Sequence, residues 1–204
     1  MDNKAAFIII LNDISSPLSL FVYNSFIKQS YKNRELIIGY LHQDSINMET
    51  NSIKILQHMT LKNDNIKLFN FSISSKNKLT HGEILNDLIS KSESKYIFPI
   101  HPNILYNNNY MNDMIKNLDS DFILSTNLLL YNIPKLNYYT YDCKDELNLY
   151  KYKTYGFTRK SWELYKFKHL DSESCIIFEW LKNKISVKKI NSIKRNMILP
   201  LNID

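Results

Sequence analysis

Between residues 95 and 106 the chain reads KYIFPIHPNILY, and the polar triplet His101-Pro102-Asn103 is where side-chain type first suggests chemistry. Tyr96-Ile97-Phe98 reads as the end of a buried strand. The triplet therefore falls at a strand's C-terminal end, where open α/β sheets face their ligands. An imidazole and an amide carbonyl two residues apart can ligate a divalent ion, and imidazole suits Mn²⁺ or later metals better than Mg²⁺. The same triplet can also be a turn without a ligand. A second polar stretch, Asp171-Ser172-Glu173, precedes the apolar run Ile176-Ile177-Phe178. Taken alone, it is a helix N-cap with a favourable acid in the first turn.

These residues need a scaffold, and the hydrophobic pattern supplies one. Ala6–Leu11 is a continuous apolar run, as in a strand buried on both faces. Ser15-Ser16-Pro17 then offers a cap and a proline at a first helical position, and Leu18, Phe21, Val22 and Phe26 recur at helical spacing through Gln29. The pattern continues with a strand over 35–40, a helix over 48–59, a strand over 66–71, a helix over 80–92 and a strand over 95–100. A helix over 110–118 and a strand over 121–130 follow. Residues 132–145 read as a loop or hairpin, 160–165 and 173–182 as helices, and 185–190 as a short strand. Strict β-α alternation requires parallel pairing with right-handed crossovers, hence an α/β fold with a mainly parallel central sheet flanked by helices. No linker divides the 204 residues, so a single domain is expected.

Composition narrows the function classes. Hydrophobic residues at 44% and charged residues at 23% are those of a globular chain, not a disordered one. The net charge of +6 comes from dispersed lysines without an arginine-rich block or zinc-finger spacing, so no nucleic-acid partner is expected. Cys143 and Cys175 are far apart and read as two thiols in a reducing compartment. The opening MDNKAAFIIILND is too short in its apolar part to span a bilayer and lacks a signal-peptide pattern. The expectation is a soluble cytoplasmic protein without a transmembrane segment.

Three blocks carry a resemblance. AFIIILNDISSPLSLFVYNSFIKQSYKNRELIIGY resembles the opening of a family 2 glycosyltransferase of GT-A fold (Rossmann-like): strand, polar turn, helix, a Gln-Ser-Tyr phrase and an Asn-x-Glu-Leu-Ile-Ile strand. HGEILNDLISKSESKYIFPI is similar to the next block, with Asn86 as its asparagine. TYGFTRKSWELYKFKHLDSESCIIFEWLKNKISVKKI resembles the acceptor half, including a Phe-x-Arg turn ending at Arg159. Together they cover about residues 5–190, with a donor-nucleotide half near 5–105 and an acceptor half near 106–190.

The resemblance implies a nucleotide-diphosphate-sugar donor, a glycan, protein or lipid acceptor, transfer with inversion, and usually Mg²⁺ or Mn²⁺. Such chemistry needs positive charge against the departing diphosphate and a general base for the acceptor hydroxyl. By resemblance, Glu173 is the base and Asp171 its runner-up. Asn12 and Asp13 after the first strand, Asp44 after the second, and Asn86, His101, Asn103 and Arg159 face the donor. Two departures stand out. The acidic turn after the second strand is replaced by Gly39-Tyr40-Leu41-His42-Gln43-Asp44-Ser45, and the metal-binding Asp-x-Asp by His101-Pro102-Asn103. Three readings follow. His101 and Asn103 hold a metal; or cations such as Arg159, Lys160, Lys95 or Lys76 replace it; or the domain is catalytically inactive and serves as a binding or scaffold module. Trp162 and Trp180 can stack on a sugar or simply fill the core.

Overall fold

The computed structural model describes residues 3–11, 18–43, 51–73, 79–102, 104–125, 127–132, 137–142, 153–164, 166–167, 186–190 and 196–198. The first four strands are β1 (Ala5–Leu11), β2 (Arg34–Gln43), β3 (Ile66–Ile73) and β4 (Tyr96–Pro99), joined through helices α1 (Leu18–Ile27), α2 (Asn51–Lys62) and α3 (His81–Ser90). All four are parallel, with β1 between β2 and β4. The strands β6 (Phe122–Ser125), β9 (Tyr155–Thr158) and β10 (Val187–Ile190) complete a seven-stranded sheet in the order β10-β6-β9-β4-β1-β2-β3. Only β9 runs antiparallel, against both β4 and β6. The mainly parallel α/β sheet is the expected architecture.

Every residue of β1 is buried, because helices cover both faces. Ala5, Phe7, Ile9 and Leu11 pack into one core with Val22 and Phe26 of α1 and with Tyr110, Met111 and Met114 of helix α4 (Tyr110–Asn117). Ala6, Ile8 and Ile10 face the other core, with Ile84, Leu85 and Leu88 of α3 and Trp162 of the short helix α5 (Arg159–Leu164). The α3 start is fixed locally. Thr80 caps Glu83 N, and the Glu83 carboxylate returns to Thr80 N at 2.8 Å, a reciprocal capping box.

Two elements differ from the sequence reading. The strand expected over 121–130 is two, β6 in the main sheet and β7 (Asn127–Asn132) in a second one. That sheet has the order β5-β11-β7-β8, with β5 (Ile104–Leu105), β8 (Asn137–Asp142) and β11 (Asn196–Ile198). Of the segment 132–145, expected as a loop or hairpin, residues 137–142 form β8, which pairs antiparallel with β7 from the preceding segment and not within 132–145 itself. The strand β9 had no counterpart in the sequence reading: four residues carry too short a period to register. Its Gly156 is required by packing, since a Cβ there would stand 2.3 Å from the Phe98 ring. The helix expected over 173–182 lies outside the described residues.

Candidate functional site

The strands β1 to β4 all end on one edge of the sheet, where His42 lies near the end of β2, His81 opens α3, His101 follows β4, and Lys153 reaches His81. The chain leaves β4 through Ile100, whose N–H returns to Ile8 O at 2.9 Å. The next N–H, of His101, donates to the Tyr106 hydroxyl at 2.8 Å, and the His101 carbonyl accepts from Ile104 N at 3.2 Å. The Tyr106 hydroxyl in turn donates to Lys153 O at 3.1 Å. One phenol thus bridges the turn after β4 and the segment entering β9. Its ring is well anchored, 4.9 Å from that of Tyr110 and 5.7 Å from that of Phe7. Burial pushes the Tyr110 phenol well above its ordinary pKa, with Tyr106 adding to the rise, so that side chain is a neutral packing partner.

Lys153 is the one non-glycine residue with positive φ among the described residues, at 49°. A left-handed backbone at a side-chain-bearing residue costs of order 1 kcal/mol and persists where its surroundings impose it. Tyr106 on one side and Thr154 on the other impose it here. Thr154 Oγ1 donates to Ser125 O at 2.9 Å, and Thr154 O accepts from Ser125 N at 2.8 Å. The Lys153 ammonium lies 3.5 Å from His81 Nε2, at the first residue of α3. Among the described residues, two buried atoms at this edge have no hydrogen-bond partner: His42 Nδ1 near the end of β2 and Ser125 Oγ at the end of β6. Each such atom costs about 1–3 kcal/mol unless something satisfies it, and a polar ligand at the edge would do so.

The residues singled out in the sequence separate into groups. His101 is at this edge. Asn12, Asp13, Asp44, Asn103, Asp171 and Glu173, with Lys76 and Trp180, lie outside the described residues. Asn86 points its amide into the protein. Its Oδ1 accepts from Trp162 Nε1 at 2.8 Å and from Phe167 N at 3.0 Å, and its Nδ2 donates to Phe167 O at 2.5 Å. Trp162 is correspondingly buried, with the Arg159 and Lys166 cations against its ring.

Arg159 stands at the opposite edge. Its guanidinium donates to the carbonyls of Ser94, Ile89 and Ser92 at 2.9, 2.9 and 2.5 Å, closing the C-terminal end of α3. Lys95 and Lys160 line an open depression of about 390 Å³ at that same edge, with Tyr96, Asp119, Asp121 and Thr158. These three cations are therefore separated by the length of β4 from the turn at His101. The structure corrects their placement in one set with His101.

Among the described residues no group of three or more His, Cys, Asp or Glu side chains could hold an ion. His101 offers one imidazole, a poor match for Mg²⁺, which takes oxygen ligands. The residues that sequence reasoning missed are Lys153, Tyr106 and His81. Only His81 left a signal, directly after the capping Thr80; the Tyr106–Lys153 link spans 47 residues and has no sequence-local trace.

The fold has solved counterparts. No protein-family model and no curated protein sequence matches the chain. The S. aureus TarS fragment 1–349 solved with UDP-GlcNAc superimposes with a TM-score of 0.66 at 12% identity, over 98% of this chain and 60% of that one. The mannosyltransferase PcManGT from Pyrobaculum calidifontis, solved with GDP-Man and Mn²⁺, gives 0.66 at 10% identity, over 96% and 56%. The chain has a GT-A-like glycosyltransferase fold. It spans about 60% of the length of these neighbours. Among the described residues, no helix is long and apolar enough to cross a membrane.

Proposed function

We propose that the chain is a glycosyltransferase that moves a sugar from a nucleotide-diphosphate donor to an acceptor hydroxyl, with inversion. The observation that carries this reading is the fold match to structures holding UDP-GlcNAc and GDP-Man, together with a polar edge where β1, β2 and β4 end. One GT-A-like domain spans residues 1–204 in this reading. Its donor half, about 5–105, presents Asn12, Asp13 and Asp44 toward the nucleotide and the His101 turn toward the diphosphate. Its acceptor half, about 106–190, supplies the base.

In the transfer, Glu173 removes the proton of the acceptor hydroxyl. The acceptor oxygen bonds to the anomeric carbon as the bond from that carbon to the diphosphate oxygen breaks, and the electron pair leaves on the diphosphate. Asp171 is the alternative base. If a metal takes part, His101 and Asn103 would hold Mn²⁺, which would neutralise the leaving group; otherwise protein cations do so.

One observation favours a second reading, a catalytically inactive GT-A-like binding or scaffold module: His101-Pro102-Asn103 contains no carboxylate. Thermal stability against a panel of UDP- and GDP-sugars and free nucleotides, with Mn²⁺ or with EDTA, separates the two. A ligand at ~100 times its Kd stabilises by about 2.7 kcal/mol, a shift of roughly 5–10 °C for this chain length. A shift accompanied by release of nucleoside diphosphate in the presence of acceptor supports transfer. Binding without turnover over a broad acceptor panel supports the inactive module, and no shift with any nucleotide removes the donor reading.

A further inference from the structure

The two outermost strands of the seven-stranded sheet are finished differently. β10, on one side, is four residues long and reads VKKI. A short outer strand bearing lysines is a common guard against pairing with another chain. β3, on the other side, is eight residues long and reads IKLFNFSI, with a single charge and no proline. Among the described residues no strand pairs with its outer side. We propose that this side of β3 pairs antiparallel with β3 of a second copy of the chain, about a two-fold axis at Phe69.

The ladder between β2 and β3 decides which backbone groups are offered. Leu36 N donates to Asn65 O at 2.8 Å, and the two strands stay in register from Leu36↔Ile66 to Gln43↔Ile73. In a parallel ladder alternate residues turn both N–H and C=O to the same neighbour. Lys67, Phe69 and Phe71 therefore bond to β2, while the N–H and C=O of Leu68 and Asn70 point outward. Ile66 follows the same alternation, its N–H turning back to Asn63 O at 2.9 Å instead of to β2. The side chains agree with an open side. Every residue of β1 is buried, whereas among the described side chains of β3 only Ile66 is; Leu68, Phe69 and Phe71 are half-buried and Asn70 is exposed. Phe69 and Phe71 pack at the margin of the α3 core, with the Lys91 ammonium 5.3 Å from the Phe69 ring centroid.

A second copy fits this pattern because the pattern is complementary to itself. With Leu68 opposite Asn70 of the other copy, and Asn70 opposite its Leu68, the outward groups exchange N–H···O bonds in both directions. Between them Phe69 meets its own counterpart at a position without ladder bonds, where Cα atoms stand about 4.5 Å apart. Aromatic cross-strand pairs of this kind are stabilising. The one charge on the strand, Lys67, is held by Glu35 at 3.1 Å and falls opposite Phe71 of the other copy, so no like charges meet. On the other face, α2 packs against β3, and its Leu61 is 83% exposed; pairing brings α2 beside its counterpart. The two-fold arrangement uses both outer sides and so closes at two chains. It also runs the strands of the copies in opposite directions, leaving the edges where β1, β2 and β4 end at opposite sides of the dimer. The inference is independent of the donor reading.

Sedimentation velocity of the whole chain without nucleotide, from about 1 to 300 µM, tests this and should show a monomer–dimer equilibrium. Over the same range, hydrogen exchange should slow at the Leu68 and Asn70 amides as the dimer fills. Asn70→Pro removes an outward N–H that the ladder to β2 does not use, a position where an outer strand tolerates proline. It should fold, as its melting curve reports, and weaken dimerisation about 30-fold or more, because each copy loses a ladder bond. Phe69→Cys should form a disulfide-linked dimer under mild oxidation, since the expected separation suits the bond, and the unaltered chain treated alike should not. A monomer at every concentration overturns the proposal. So does a dimer that folded Asn70→Pro keeps at unchanged Kd, or one that Phe69→Cys fails to link. Protection of Leu68 and Asn70 that does not change with concentration would assign the outer side to another segment of this chain, and also overturns it. Should Asn70→Pro fail to fold, the Phe69→Cys link decides.

Discussion

At the edge of the sheet where the parallel strands begin, buried charge is met by opposite charge and by hydroxyls; at the edge where they end, two buried polar atoms have no hydrogen-bond partner among the described residues. Glu35, at the start of β2, is fully buried. Its Oε1 accepts from Ser92 and Ser94 hydroxyls at 2.6 and 2.7 Å, and its Oε2 meets the Lys4 and Lys67 ammoniums at 3.1 Å each, as ion pairs. Arg34 closes α1 by donating to Phe26, Ile27 and Tyr31 carbonyls. Buried Gln29 donates to Asn107 O at 2.8 Å and accepts from Met111 N at 3.0 Å, tying α1 to α4. At the other edge His42 Nδ1 and Ser125 Oγ are buried without partners and Lys153 is strained. On the donor reading proposed above the second edge takes the ligand, so substitutions at the two should separate stability from binding.

The largest effect expected is on turnover. Glu173→Gln should lower the transfer rate by about 10²- to 10⁴-fold, the usual worth of a general base, with nucleotide affinity and melting temperature unchanged. A rate within a few-fold of the unaltered chain would move the base to Asp171 or elsewhere. Next comes Glu35→Ala at the satisfied edge. It strands two hydroxyls and two partly exposed ammoniums and should cost about 3–5 kcal/mol, lowering Tm by roughly 10 °C. Nucleotide Kd, measured well below that Tm, should not move. A parallel loss of binding would show that the two edges are coupled.

The same carboxylate sets an acid limit. Burial alone would raise the Glu35 pKa, but the hydroxyls of Ser92 and Ser94 and the ammoniums of Lys4 and Lys67 outweigh it and bring it from 4.5 down to about 2. Between those values the unfolded chain binds more protons than the folded one, so stability rises with pH. The contribution, at most about 3 kcal/mol, is complete above pH 4.5 and lost as pH falls through 2. Salt should reduce it, because Lys4 and Lys67 are partly exposed. Urea unfolding at a series of pH values should show this slope in the unaltered chain and a flatter one in Glu35→Gln. Equal slopes would remove Glu35 as the source.

This contrast also explains what the sequence disclosed. The phrase Gln29-Ser30-Tyr31-Lys32-Asn33-Arg34-Glu35, which carried most of the resemblance, is largely structural. Gln29, Arg34 and Glu35 bind backbone, hydroxyls and neighbouring lysines at the satisfied edge, local physics that a one-dimensional pattern can show. Apolar periodicity likewise revealed β1 to β4 and their helices. The edge proposed to take the ligand is assembled from residues as far apart as His81, His101 and Lys153, with Tyr106 linking the last two, and nothing local in the sequence announces such a junction. β9 was lost for a related reason: four residues become a strand only because β4 and β6 are there to pair with them, with Gly156 admitting the Phe98 ring.

The smallest effect tests where Arg159 belongs. Read from the sequence, this residue faces the donor; in the structure its fork closes α3 through three carbonyls, from Ile89, Ser92 and Ser94. Lysine keeps the charge but cannot span three acceptors with one ammonium. Arg159→Lys should therefore lower stability by about 1–2 kcal/mol, seen as a Tm fall of roughly 2–6 °C. Because the guanidinium lies across the sheet from His101, nucleotide Kd should stay within twofold. A weakened Kd with unchanged Tm would return Arg159 to the donor site, and would mean that the edge closing α3 also reaches the ligand.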